Sequence, residues 1–279
     1  MVNENTSNNI PLINPLITDY STLRISLLPK LIQTVGENLK QSNSILEGFE
    51  YGHVFLGDIN SQYIEKEVVS GIFGGLKSKR QWNDTSTALS WFEAKGKIEA
   101  LFKKLNISVI WKNSTLETYK NILHPYRTAE LYLSNELKLG VFGQIHPIAA
   151  KKNNISIGLF LFEFNFEVLK TEFQQKNLSL YQPYSIYTKI TKDLSFVVGR
   201  KIPFTEIKAT ILDHGTEYLK SVDLLDEYQG SSIPKDQTSL CIQLTFQSTE
   251  KTLITKEIDE IIKSLYKVLE TKYDINIRI

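Results

Sequence analysis

Asp193-Leu194-Ser195-Phe196-Val197-Val198, followed by Phe204-Thr205-Glu206-Ile207-Lys208-Ala209-Thr210-Ile211-Leu212, is the stretch that decides the fold. Leu194, Phe196 and Val198 alternate as a half-buried strand does, and Phe204, Ile207, Ile211 and Leu212 then recur on one helical face. His214-Gly215 ends the helix. A strand over Tyr218–Tyr228 runs into the turn Gln229-Gly230-Ser231-Ser232-Ile233-Pro234. The next strand points Leu240, Ile242, Leu244 and Phe246 inward and Cys241, Gln243, Thr245 and Gln247 outward. Thr255 is placed to N-cap a helix whose stripe is Ile258, Ile261, Ile262, Leu265, Val268 and Leu269, and Asp274–Ile279 closes the sheet. Strand, helix, strand, strand, helix, strand is the ferredoxin-like split βαβ order. Such a fold hosts many functions, so its loops must decide the rest.

Upstream the pattern is different. From about Asn14 to Leu169 helical and alternating segments mix without regular βαβ spacing, which predicts an α+β domain with an antiparallel sheet. Leu23–Leu39 reads as helix despite Pro29, Phe49–Phe55 as a strand, and Ile98, Leu101, Phe102 and Leu105 mark another helix. Phe160, Phe162, Phe164 and Phe166 alternate along a late strand, predicting a buried aromatic face with Glu163 and Asn165 opposite. The polar run Thr171–Pro183 reads as a linker or a helix extension. The expected domains are therefore 10–170 and 184–279.

Composition narrows the classes. With 42% hydrophobic and 23% charged residues, the chain falls in the globular range. No apolar run approaches the roughly 20 residues that span a bilayer, so no membrane partner is expected. Residues 1–9 show neither a signal nor a transit pattern, which leads us to expect a protein that works where it is made. One cysteine, Cys241, excludes an internal disulfide and a cysteine-rich metal site, and its place in a strand favours a packed thiol. A net charge of +1 is low for a protein that holds RNA by charge alone, so any RNA contact must be local or shared with a partner. The 27 lysines against five arginines fit AT-rich coding, as in a plastid or an AT-rich bacterium.

Catalytic signals are sparse. Gly71-Ile72-Phe73-Gly74-Gly75 before Lys77, Lys79 and Arg80 matches neither the P-loop nor the dinucleotide fingerprint, and glycines permitting close backbone packing are the simpler reading. His124-Pro125 with Arg127 and Glu130, and His146-Pro147, tempt one toward an acid–base pair or a metal. No His-x-x-x-His or His-x-x-Glu spacing holds them on one helical face. The plainer expectation is a histidine before a turn proline, with Arg127 and Glu130 in a local salt bridge or an interface. No serine or cysteine nucleophile constellation is legible.

The wording of the loops carries a family resemblance. Lys192-Asp193-Leu194-Ser195, Tyr228-Gln229-Gly230 with Ile233-Pro234, Leu244-Thr245-Phe246-Gln247, Thr252-Leu253 and Glu257 resemble the ferredoxin-fold anticodon-binding domain that ends the beta subunit of bacterial-type phenylalanyl-tRNA synthetase. Upstream, Asn14-Pro15-Leu16, Leu23-Arg24-Ile25-Ser26-Leu27-Leu28-Pro29, Phe49-Glu50-Tyr51-Gly52-His53-Val54-Phe55, Phe92-Glu93-Ala94-Lys95-Gly96, His124-Pro125-Tyr126-Arg127-Thr128-Ala129 and Phe142-Gly143-Gln144-Ile145-His146-Pro147 resemble that subunit's catalytic-like module. They cover nearly the whole chain in the family's order.

This resemblance implies a class II aminoacyl-tRNA synthetase-like antiparallel sheet module followed by a ferredoxin-like βαββαβ domain. It implies a module without an active site, since a class II site needs arginines fixed on the ATP phosphate and adenine, and Arg24, Arg80, Arg127, Arg200 and Arg278 stand in no such motif. Catalytic and metal-binding residues are thus expected to be none, with ATP and Mg2+ used by the complete synthetase. The implied partners are the alpha subunit, in a heterotetramer of two alpha and two beta chains, and tRNA(Phe). The implied place is a plastid stroma if organelle-encoded, otherwise a bacterial cytoplasm. The family's editing domain, RNA-binding-like domain and small helical domains have no counterpart here, so the chain is expected to be a fragment or half of a divided gene product, without tyrosine editing. For the anticodon stem-loop the candidate phosphate contacts are Lys189, Lys192, Arg200, Lys201 and Arg278, with Tyr187 or Tyr228 stacking. Lys235-Asp236-Gln237 stands where the family tends to carry Gly-Lys-Lys, and Gln243 where arginine is usual. Two other readings stay open: a free-standing RNA-binding or structural module, and an independently active ligase domain.

Overall fold

The computed structural model describes residues 10–16, 21–41, 47–57, 63–75, 82, 87–114, 117–156, 158–175, 181, 183–230 and 233–277. The chain forms two compact units, Met1–Ser179 and Leu180–Ile279.

In the first unit the elements run α1 (Leu28–Lys40), β1 (Gly48–Leu56), β2 (Ile64–Gly74), α2 (Trp91–Lys104), β3 (Val109–Asn113), β4 (Leu123–Leu133), β5 (Lys138–Ile145), α3 (Pro147–Lys152), β6 (Leu159–Asn165) and α4 (Phe166–Gln175). The six strands make one antiparallel sheet in the order β1-β2-β6-β5-β4-β3. Alternation along β6 sends Leu159 and Leu161 to one face, where Leu28, Ile32 and Val35 of α1 meet Ile72 and Val141. It sends Phe160 and Phe164 to the other, where Ala94, Ile98 and Phe102 of α2 meet Phe142. The apolar face of α1 is thus internal core. Ser90 starts α2 with a capping box: its hydroxyl accepts the Glu93 N–H at 3.3 Å, and the Glu93 carboxylate accepts the Ser90 N–H at 2.9 Å.

Three expectations shift here. The first helix begins at Leu28, five residues later than the pattern suggested. Pro29 suits the first turn, where its missing N–H costs nothing, and the preceding segment is extended, with Leu23 N–H bonded to Ile10 O. The aromatic strand ends at Asn165, whose side chain accepts the Val168 N–H, so Phe166 opens α4. The face opposite its aromatic rings is not watered either, because Glu163 is only 5% exposed.

The second unit runs β7 (Ile190–Gly199), α5 (Phe204–His214), β8 (Leu219–Tyr228), β9 (Gln237–Phe246), α6 (Thr255–Tyr273) and β10 (Asn276–Ile277). Its sheet order is β10-β7-β9-β8, all neighbours antiparallel, which is the expected ferredoxin-like arrangement. Leu194, Phe196 and Val198 of β7 and Leu240, Ile242, Leu244 and Phe246 of β9 pack against Ile207 and Ile211 of α5 and Ile258, Leu265 and Leu269 of α6. Leu212 departs from the expected stripe: it is exposed, and Thr210 takes the buried position, its hydroxyl 2.7 Å from the Tyr273 hydroxyl. Ile254, rather than Thr255, is the N-cap of α6, with its N–H bonded to the Glu257 carboxylate at 3.2 Å. No described helix is long and apolar enough to cross a membrane.

Candidate nucleic-acid interface

The parity of β7 sorts the candidate residues. Lys192 shares the phase of Leu194 and Phe196, so it faces the helix layer, where its Nζ lies 3.1 Å from the Asp259 carboxylate on α6. Asp193, Ser195 and Val197 face the other way. Register adds Ser239, Cys241, Gln243 and Thr245 of β9, and Asp223, Asp226 and Tyr228 of β8, to that open face. These residues bring three carboxylates and no cation. The Gln243 amide donates to the Asp193 carboxylate at 2.9 Å, and Ser221 Oγ donates to Asp223 at 2.9 Å. A phosphate backbone laid across this face would meet repulsion.

Three exposed cations, Arg200, Lys201 and Lys235, stand at one end of the sheet instead. Arg200 and Lys201 follow β7 directly, and Arg200 N–H is bonded to Asp236 O at 2.8 Å, which holds that turn against the start of β9. Lys235 lies in the same turn as Asp236, and Tyr228 closes β8 beside it, paired with Ser239. The Tyr228 ring is half exposed and folds over Gly230, where a Cβ would collide with the phenol. Arg200, Lys201 and Lys235 are all exposed. Lys189 is exposed too, but it precedes β7 at the opposite end, about 30 Å away for a strand of this length. Tyr187 is at that far end, its carbonyl accepting from Gln247 Nε2 at 2.7 Å. Arg278 lies outside the described residues. The structure therefore brings together Arg200, Lys201 and Tyr228, adds Lys235, ties Lys192 to a helix and leaves Lys189 apart. The alternation that marked Leu194, Phe196 and Val198 already carried the signal for Lys192.

In the first unit the glycine-rich segment is the end of β2. A Cβ on Gly71 would fall within the Phe162 ring, and Gly74 has φ +139° with the Gly158 carbonyl beneath it. Close packing explains both glycines; Lys77, Lys79 and Arg80 lie outside the described residues. The expected Arg127–Glu130 bridge is not formed. Arg127 Nη1 donates to Gln144 Oε1 at 2.8 Å, while the buried Glu130 accepts from Tyr132 Oη at 2.6 Å and pairs with Lys138 at 3.1 Å. Arg127 lies in the irregular part of β4 between Leu123 and Thr128, whereas Glu130 is in regular register with Val141 of β5. Among the described residues no cluster of three or more His, Cys, Asp or Glu side chains can hold a metal ion.

One buried carboxylate organises this unit. Glu163 Oε2 accepts from Ser26 Oγ at 3.0 Å, Leu27 N–H at 2.9 Å and Ser70 Oγ at 2.8 Å, and Oε1 accepts from Tyr119 Oη at 2.7 Å. Burial first, then the charge of Glu163, push the Tyr119 phenol far above its ordinary range. The arginine before this cluster holds the sheet edge: Arg24 Nε donates to His53 O at 2.9 Å and Nη1 to the Glu50 carboxylate at 2.8 Å, above Gly52.

The βαββαβ unit belongs to a known class, for residues 185–278 match the ferredoxin-fold anticodon binding domain. Residues 1–166 match the phenylalanyl tRNA synthetase beta chain CLM domain, and the chain belongs to the phenylalanyl-tRNA synthetase beta chain family. A chloroplastic phenylalanine–tRNA ligase beta subunit of Phaeodactylum tricornutum is 53% identical over 265 residues, covering 95% of this chain and 38% of that protein. The beta subunit of Trichormus variabilis is 34% identical, with 96% and 33% covered, and the chloroplastic one of Porphyra purpurea 34% identical, with 96% and 38%. The chain thus spans little more than a third of the length of these relatives. A solved pyrrolysyl tRNA synthetase, PylSc of Desulfitobacterium hafniense, aligns at TM-score 0.41 and 15% identity over 62% of this chain and 57% of its own.

Proposed function

We propose that this chain acts as the carboxy-terminal portion of a phenylalanine–tRNA ligase beta subunit, working with an alpha subunit in the ATP-dependent charging of tRNA(Phe). The observation that carries this reading is the pair of family matches, CLM domain then anticodon-binding domain, in one order along one chain. In it, residues 10–170 form a non-catalytic module that supports the alpha subunit within an assembly of two alpha and two beta chains. Residues 184–279 hold the anticodon region. Arg200 and Lys201, joined by Lys235, take backbone phosphates, and Tyr228 offers a ring for stacking.

In this reading the chain itself holds neither ATP nor Mg2+. Arg24 is committed to Glu50 and the edge of β1, Arg127 to Gln144, and no described carboxylate cluster suits a metal. The reading therefore leaves both to other parts of the synthetase. Chloroplastic and bacterial relatives support a plastid stroma or a bacterial cytoplasm as the place of work.

The test is aminoacylation of tRNA(Phe) by the candidate alpha subunit, with and without this chain and with any separate amino-terminal beta piece. Charging that depends on this chain is the expected result. A folded chain that neither stimulates charging nor co-purifies with alpha would remove the proposal and leave a free-standing RNA-binding module.

A further inference from the structure

We propose that the first unit carries an RNA-backbone contact of its own, formed by the bulge of β4 and the turn from β5 into α3. This goes beyond the anticodon-binding role of the second unit and does not depend on it. Between Leu123, paired with Ile145, and Thr128, paired with Gly143, β4 spends four residues against one, so His124–Arg127 is thrown out of the sheet. Two bonds tie this region to the opposing turn and one closes the bulge on itself. Arg127 donates to Gln144 and His146 N–H to Ile122 O at 2.8 Å, while Thr128 Oγ1 donates to His124 O at 2.6 Å within β4.

Charge is segregated here. It has 31 acidic residues and a net charge of only +1, yet residues 118–129 and 137–162 contain no Asp or Glu. Within them stand Lys120, Arg127, Lys151 and Lys152, all exposed. The bond from Arg127 to a neutral amide leaves the guanidinium charge unneutralised. Nδ1 of His124 accepts the Tyr126 N–H at 3.1 Å and Nδ1 of His146 accepts the Ile148 N–H at 3.1 Å, so each neutral ring carries its proton on Nε2 as a donor. Burial first, then Arg127 and His146, hold the His124 imidazole below its ordinary range, so it serves near neutral pH as a neutral donor.

Tyr126 sets the ligand class. Its ring is 91% exposed, and among the described residues its one ring contact is with His124, 6.1 Å between centroids. An aromatic face standing in water beside an arginine is a stacking platform for an unpaired base, with the arginine on the backbone. RNA phosphodiester with a stacked base satisfies both.

The test is binding of a tRNA(Phe) transcript to the full chain by fluorescence anisotropy across a salt series. Tyr126→Ala with Arg127→Gln should raise Kd about tenfold and lower the slope of log K against log salt by about one. Tyr126→Phe should retain affinity, since the ring is kept. Lys103→Gln with Lys104→Gln, removing two charges from the end of α2, should change little. Unchanged affinity and slope in the bulge variant would overturn the proposal, as would an equal loss in the α2 variant. Arg200→Gln with Lys201→Gln separates the two readings. If only that variant weakens binding, the contact proposed here falls and the anticodon role stands; if only the bulge variant does, the reverse holds. Near-UV circular dichroism checks that each variant is folded.

Discussion

At the scale of single residues, Glu163 is the most consequential side chain of the first unit. It is 5% exposed and accepts four hydrogen bonds, three on Oε2 and one on Oε1, so its charge is tolerated because donors gather on both oxygens. Glu163→Gln keeps the shape but turns an amide N–H toward those donors, and should cost about 2–3 kcal/mol in urea denaturation. Tyr119 adds a pH dependence. Its folded pKa is raised, so the native state keeps the phenol proton after the unfolded chain has released it near pH 10. The stability it contributes is present in full below that pH and lost as pH rises above it. Melting temperature should fall more steeply above pH 10 in the parent chain than in Tyr119→Phe, and equal slopes would refute the assignment. None of this was legible beforehand. Alternation placed Glu163 opposite the aromatic face, but its donors come from Ser26, Leu27, Ser70 and Tyr119, and no local pattern announces partners so far apart in the chain.

Secondary-structure elements were far more readable, for a physical reason. β7, β9 and α6 each have a clean period and one packed face, so propensity and burial agree. Ends were less so: Leu212 was misassigned because a polar Thr210 could take the buried site by bonding to Tyr273, and the α6 cap moved by one residue because the Glu257 carboxylate, not a cap side chain, satisfies the first N–H. The tie between β7 and α6 belongs at this scale. Lys192 and Asp259 are each about a third to a half exposed, so a double-mutant cycle should give about 0.2–1 kcal/mol, reduced by salt. Lys192→Ala should leave tRNA affinity within about twofold, since its ammonium faces the helix layer; a tenfold loss would return it to the list of phosphate contacts.

At the scale of the whole molecule, charge is unevenly distributed. The open face of the second unit carries Asp193, Asp223 and Asp226, while Arg200, Lys201 and Lys235 sit where β7, β8 and β9 turn. Under the proposed function, Arg200→Gln with Lys201→Gln should raise KM for tRNA(Phe) in a reconstituted charging assay by about tenfold while kcat changes little, because that reading puts these side chains on a part of the tRNA remote from the reacting end. An equal fall in kcat with unchanged KM would contradict that placement. The gathering of these cations was not legible from spacing, since Arg200 and Lys235 are far apart in sequence and meet only through the β7–β9 register and the Arg200–Asp236 bond.

The Glu163 junction also bears on how the first unit assembles in time. Its donors lie 137, 136, 93 and 44 residues away along the chain, so the carboxylate gathers segments whose loops close only as the sheet completes. Shedding its water before those donors arrive would be costly, which makes the junction a late event, formed after the rate-limiting barrier. Weakening it should then leave the refolding rate nearly unchanged and accelerate unfolding, making Glu163 a latch on the lifetime of the native state.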